Sequence, residues 1–146
     1  MASGALGNVS YQVLPHSPRD VPQARTHLLI GKRNTGKTTL LMDLLFHAQH
    51  RLQFGIIFAG SIGSLVELRK CHPDTFIYER FDAAVLEAFW KKVVATNGPL
   101  RRKGLPMVNF YIVLDDTGFD EKMWKSPVIT EMLMNGRQYN LDSCVH

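Results

Sequence analysis

No stretch of this sequence stays apolar for the roughly 20 residues that a membrane-spanning helix needs. The N-terminus also lacks the basic start and apolar core of a secretory signal. Both absences point to a soluble, intracellular setting. Cysteine is scarce: Cys71 and Cys144 are the two present. That is too few for a disulfide framework, and free thiols in a reducing compartment are expected. Neither cysteine stands at a standard ligand spacing from a histidine, His72 and His146 included, so a zinc site is not expected. A strong charge of one sign is missing too. The formal net charge of +4 permits an anionic partner without requiring one. What is present is an ordinary globular composition, 45% hydrophobic and 21% charged, which argues against wholesale disorder. The 146 residues suffice for one domain with a core.

The first 25 residues are irregular and hold Pro15, Pro18 and Pro22. They read as an extension that drapes over the domain or stays mobile. A single domain is expected over 26–146. It opens with the apolar run His27 to Ile30 and a helix from Lys37 to His50, in which Leu40, Leu41, Leu44, Leu45 and Ala48 recur at helical spacing. The continuous apolar runs Phe54–Ala59 and Val108–Leu114 suit strands buried on both faces, as in a parallel sheet. Between them the pattern predicts a short helix over Leu65–Lys70 and a strand over Thr75–Tyr78. A further helix, capped by Asp82, should run to about Ala95 and end at Asn97-Gly98-Pro99. Phe89 and Trp90 on it are read as packing residues. Arg101-Arg102-Lys103 is then read as a solvated loop, with contact to DNA phosphates as the alternative. Ser126-Pro127 starts a helix that Gly136 ends, and Leu141 opens another strand. Alternating strands and helices predict an α/β fold with a mainly parallel sheet.

Gly31-Lys32-Arg33-Asn34-Thr35-Gly36-Lys37-Thr38 fits G-x-x-x-x-G-K-[ST] at every fixed position. Such a loop wraps phosphate with its backbone N–H groups, and side chains at the two glycines would obstruct that approach. The helix that follows aims its positive end at the same phosphate. Lys37 is expected to reach the β- and γ-phosphates of a nucleotide, and the Thr38 hydroxyl to ligate magnesium. Residues 31–39, through Thr39, form the expected cofactor-binding segment. Asp115-Asp116 ends the second buried run, at the sheet edge where open α/β folds bind ligands. Asp115 is read as the metal-binding carboxylate, holding magnesium directly or through its water shell, and Asp116 as the acid that orients and deprotonates the attacking water. Arg137 follows the Ser126–Asn135 helix. It either stabilises charge on the transferring phosphoryl group, in its own subunit or a neighbour's, or pairs with the helix dipole.

Together these segments resemble the genome-packaging ATPases of large double-stranded DNA viruses, the poxvirus-type branch of the FtsK–HerA superfamily. The resemblance is carried by Ile30 to Leu40, by Ile112-Val113-Leu114-Asp115-Asp116 and by Asn135-Gly136-Arg137-Gln138-Tyr139-Asn140. Trp124 and Ser126-Pro127 add to it. The family usually has histidine where Gln138 stands. The resemblance implies a three-layer P-loop NTPase fold in which the strand after Asp115-Asp116 inserts beside the P-loop strand. It implies ATP and Mg2+ as cofactors, and hydrolysis coupled to translocation of double-stranded DNA by a homo-oligomeric ring. Capsid portal or vertex proteins would be partners, and the host-cell cytoplasm, a virus factory or the virion the location. Family members continue through at least two more strands, so the sequence reads as the N-terminal portion of such a domain, with little ATPase activity expected of it alone. Two other readings stand beside this one. One is a small-molecule or nucleoside kinase with Arg101 and Arg102 on a lid. The other is a nucleotide-binding remnant without turnover.

Overall fold

The computed structural model describes residues 17–32, 34–73, 76–117 and 121–145. The 1–16 part of the expected extension, Arg33, Thr75 and His146 therefore lie outside the described residues. A five-stranded sheet forms the centre: β1 (Thr26–Leu28), β2 (Phe54–Ala59), β3 (Ile77–Tyr78), β4 (Phe110–Asp115) and β5 (Leu141–Val145). All pairings are parallel, in the order β1-β5-β4-β2-β3. The strand after Asp115-Asp116 thus lies between β4 and β1, as the resemblance implied.

The apolar runs in β2 and β4 have the physical cause expected of them, since both faces of the sheet are covered. Ile56 and Phe58 of β2 with Phe110, Ile112 and Leu114 of β4 form one core. Against it pack Leu86, Trp90 and Val93 of α3 (Ala83–Arg102), Met123 of α4 (Glu121–Trp124), and Ile129 and Met132 of α5 (Pro127–Asn135). The alternate residues Ile57, Ala59, Tyr111 and Val113 face the other way. They meet Leu41 and Leu45 of α1 (Lys37–Ala48) and Leu65 and Leu68 of α2 (Ile62–Arg69). The result is helix, sheet, helix in three layers.

Several element boundaries differ from the sequence reading. Helix α2 begins a turn earlier because the Ser61 hydroxyl accepts from the Ser64 N–H and caps it. Strand β3 is reduced to Ile77–Tyr78. The largest correction is α3, which does not stop at Asn97 but runs through Pro99 to Arg102. Proline inside a helix removes one hydrogen bond, and the loss is offset here by what precedes it. Asn97 is fully buried. Its amide donates to the carbonyls of Val108 (2.8 Å) and Tyr139 (2.6 Å) and accepts from the Val108 N–H (2.9 Å). Asn97 therefore ties the end of α3 to the chain entering β4 and β5, and the helix is held through its proline. Arg101 and Arg102 lie in its last turn, not on a free loop. Gly136 does end α5, as its C-cap, but without a left-handed turn. It is right-handed and starts a 3₁₀ turn, Gly136–Tyr139. The left-handed residue is Asn140, at φ 57°, whose side chain donates to the Val108 carbonyl and contacts Asn109.

Candidate nucleotide site

At the carboxyl ends of the strands the connections leave to opposite faces: α2 follows β2 on one side, and α4 with α5 follows β4 on the other. Adjacent strands whose connections diverge leave a crevice between them. That crevice is a cleft of about 680 Å³, lined by Asn34 to Thr39, by Ser61, Gly63, Ser64 and Glu67, and by Asp116. Its size is that of small-molecule sites.

One wall is the glycine-rich loop. Gly36 precedes α1 with φ 83°, a left-handed conformation that side-chain-bearing residues seldom adopt. Asn34 is left-handed as well, at φ 58°. The two reversals turn the chain back into the helix. The Thr35 hydroxyl closes the loop by donating to the Lys32 carbonyl at 2.8 Å. The Lys37 ammonium folds over it and donates to the carbonyls of Gly31 (2.9 Å) and Lys32 (2.7 Å). The N-cap of α1 is Gly36, which has no side chain to bond the first amides of the helix, and the first turn holds no acid. Its first amides and its positive end therefore stay available to an anion.

The facing wall comes from β4 and β2. Asp115 is the last residue of β4, fully buried and in register with Ala59. Its charge, second to burial itself, helps push the neighbouring Cys144 thiol up to about 12, so that thiol is neutral. Asp116 is exposed on the cleft with φ 52°. A left-handed non-glycine residue stores strain on the order of 1–3 kcal/mol and clusters at functional sites. Its backbone is held from β2: the Gly60 N–H donates to the Asp115 carbonyl at 2.8 Å, and a Cβ at Gly60 would collide with the Asp116 carbonyl.

The structure thus brings Asn34, Thr35, Gly36, Lys37, Thr38, Thr39 and Asp116 to one cleft. Gly31 and Lys32 form the base of the loop through their carbonyls. It does not bring Asp115 to the cleft wall, because the side chain at the strand end is packed inside. Nor does it bring Arg137. The 3₁₀ turn that holds Arg137 enters β5 from below, so Arg137 stands at the amino edge of the sheet. The five residues of β5 separate that edge from the cleft side, roughly 16 Å at about 3.3 Å per residue. A role for Arg137 at its own subunit's cleft is incompatible with that placement. Arg101 and Arg102 share that edge and cannot form a lid over the cleft. Five contributors escaped the sequence reading: Gly60, Ser61, Gly63, Ser64 and Glu67. Glu67 is tied to Lys70 at 2.7 Å. The available signal was Gly60-Ser61 directly after the apolar β2 run, the same strand-end position that identified Asp115-Asp116.

The chain is similar to three viral proteins. It is 29% identical over 119 residues to an uncharacterized protein of Acanthamoeba polyphaga mimivirus, a match covering 78% of this chain and 42% of that protein. Over 114 residues it is 27% identical to an uncharacterized protein of Invertebrate iridescent virus 6, covering 78% and 43%. Over another 114 it is 25% identical to an uncharacterized protein of Frog virus 3, covering 78% and 34%. The matched region spans less than half the length of each relative. No protein-family model and no solved structure matches the chain. No helix among the described residues is long and apolar enough to cross a membrane. Among them, no group of three or more His, Cys, Asp or Glu is placed to hold a metal by itself.

Proposed function

We propose that this chain is the nucleotide-binding part of an ATP-driven motor that moves double-stranded DNA, of the viral genome-packaging type. The observation that carries the reading is the sharing of one cleft by the glycine-rich loop, with its lysine, and by the strained Asp116. The resemblance in three segments and the viral origin of the relatives support it.

The residues suit a magnesium-bound triphosphate. The loop amides and Lys37 present positive charge to phosphate oxygens. Side-chain oxygens of Thr38 and Asp116 line the cleft, and among the described residues no sulfur or imidazole does, the donor set a hard cation takes. Thr38 would hold the magnesium, which when bound neutralises charge on the β- and γ-phosphates. Lys37 moves from the loop carbonyls onto the phosphate. Asp116, exposed and held by Gly60, orients the attacking water and takes its proton. Asp115, buried behind it, contributes negative field at the strand end rather than a direct ligand. The homo-oligomeric ring and the capsid portal or vertex partners belong to the same proposal and rest on the resemblance alone.

Phosphate release tests the chemistry. In a full-length protein carrying this segment, Asp116→Asn is expected to keep ATP and magnesium binding and to lower hydrolysis on the order of 100-fold. Unchanged hydrolysis in that variant would remove the catalytic reading and leave a nucleotide-binding domain.

A further inference from the structure

We propose that the amino edge of the sheet, opposite the nucleotide cleft, binds the phosphate backbone of duplex nucleic acid through Arg101, Arg102, Lys103 and Arg137. The inference rests on the motor reading for the identity of the polyanion.

Two stretches of the sequence contain no acidic residue: from Ala88 to Leu114, and from Met132 to Leu141. They are far apart in the chain, and the fold joins them. The last turn of α3 packs against the 3₁₀ turn Gly136–Tyr139, where Arg101 Nη1 donates to Gln138 Oε1 at 2.9 Å. The Arg101 guanidinium lies 5.9 Å from the Tyr139 ring centroid, and Tyr139 is held edge-on by Trp90 at 5.5 Å. Asn97 fixes the Tyr139 carbonyl from beneath. Arg101 is thus positioned by a packed aromatic pair.

Arg101, Arg102, Lys103 and Arg137 are all exposed. Several cations elsewhere on the surface have acidic partners: Lys70 with Glu67, Lys91 with Glu87, Lys125 with Glu121, Arg69 with Glu79. Among the described residues none of these four makes an ion pair. The negative end of α3 offsets about half a charge, which leaves most of the four uncompensated. Gln138 lies at the same edge and spends only its amide oxygen on Arg101; glutamine, like arginine and lysine, contacts phosphodiester oxygens. Guanidinium forks match phosphate geometry in two-point contacts.

The test is fluorescence anisotropy with a labelled duplex of about 25 base pairs at several salt concentrations. Arg102→Ala/Lys103→Ala/Arg137→Ala removes three exposed side chains without a structural partner and should melt like the wild type. It is expected to lose about tenfold or more in affinity near 0.1 M salt. The slope of log K against log salt should flatten by roughly 2–3, at about 0.9 per phosphate contact. Arg102→Lys should keep the wild-type slope. Lys37→Ala should keep duplex affinity, and Arg102→Ala/Lys103→Ala should keep ATP affinity, so loss of the motor reading and loss of this surface show separately. Unchanged duplex affinity in the triple variant overturns the proposal. So does loss of duplex binding in Lys37→Ala, which would place the polyanion on the glycine-rich loop. Competition by polyglutamate as effective as by unlabelled duplex also overturns it, and assigns the edge to an acidic protein segment.

Discussion

At the residue scale the tension lies in Asp116. A glycine would adopt φ 52° without strain, yet the position holds a carboxylate that faces the glycine-rich loop. Asp116→Gly is expected to raise stability by about 0.5–1 kcal/mol while removing hydrolysis. A urea denaturation midpoint that moves up alongside lost phosphate release is the expected pair of results. A lower midpoint would mean that the carboxylate stabilises the fold. Cys144 shows the opposite economy. With its thiol neutral and buried, it packs between layers and has no part in the chemistry proposed.

At the element scale the organising device is Asn97, which joins α3 to the entries of β4 and β5. Asn97→Ala would strand the Val108 N–H and the Tyr139 carbonyl, at about 1–3 kcal/mol for each buried group left unpaired. Chemical denaturation should register a loss of about 2–4 kcal/mol. A loss under about 0.5 kcal/mol would show that the proline-containing helix end is held by apolar packing alone. This element also marks where the sequence stopped being legible. The strands β2 and β4 could be read because burial on both faces makes them continuously apolar, and α1 because one face of it is. The glycine-rich loop could be read because its chemistry fixes residue types at fixed spacing. Asn97-Gly98-Pro99 looked like a stop signal because its rescue is tertiary: Val108 and Tyr139 lie 11 and 42 positions away. The same limit hid Gly60, whose requirement comes from the Asp116 carbonyl beyond another strand, and misplaced Arg137, whose edge of the sheet is set by its place just before β5 in an all-parallel sheet.

At the scale of the whole molecule, two half-buried histidines make stability depend on pH. Burial lowers His72 from its ordinary 6.5. Burial also lowers His27, Asp142 opposes this, and Arg51 adds to it. In both cases the unfolded chain takes up the proton first, so stability is full above about pH 6.5 and is lost as pH falls below it. Asp142, raised by burial, has the opposite sign and acts toward the acid end. The urea midpoint should therefore fall between about pH 7.5 and 5.5. His72→Gln should reduce that fall, and a flat profile would contradict it. The sheet order β1-β5-β4-β2-β3 places the loop after β1 and the acids after β4 at the same edge, with β5 between the strands. That arrangement lets residues about 80 positions apart share one cleft, and the claim that the cleft takes a magnesium-bound nucleoside triphosphate is central to the account. The direct measurement is calorimetric titration of ATP into the chain, with and without magnesium, for wild type and Lys37→Ala. Magnesium-dependent binding by the wild type is expected. Lys37→Ala should lose on the order of 2–3 kcal/mol, roughly 30- to 150-fold in affinity. Equal affinity in the two chains would contradict it.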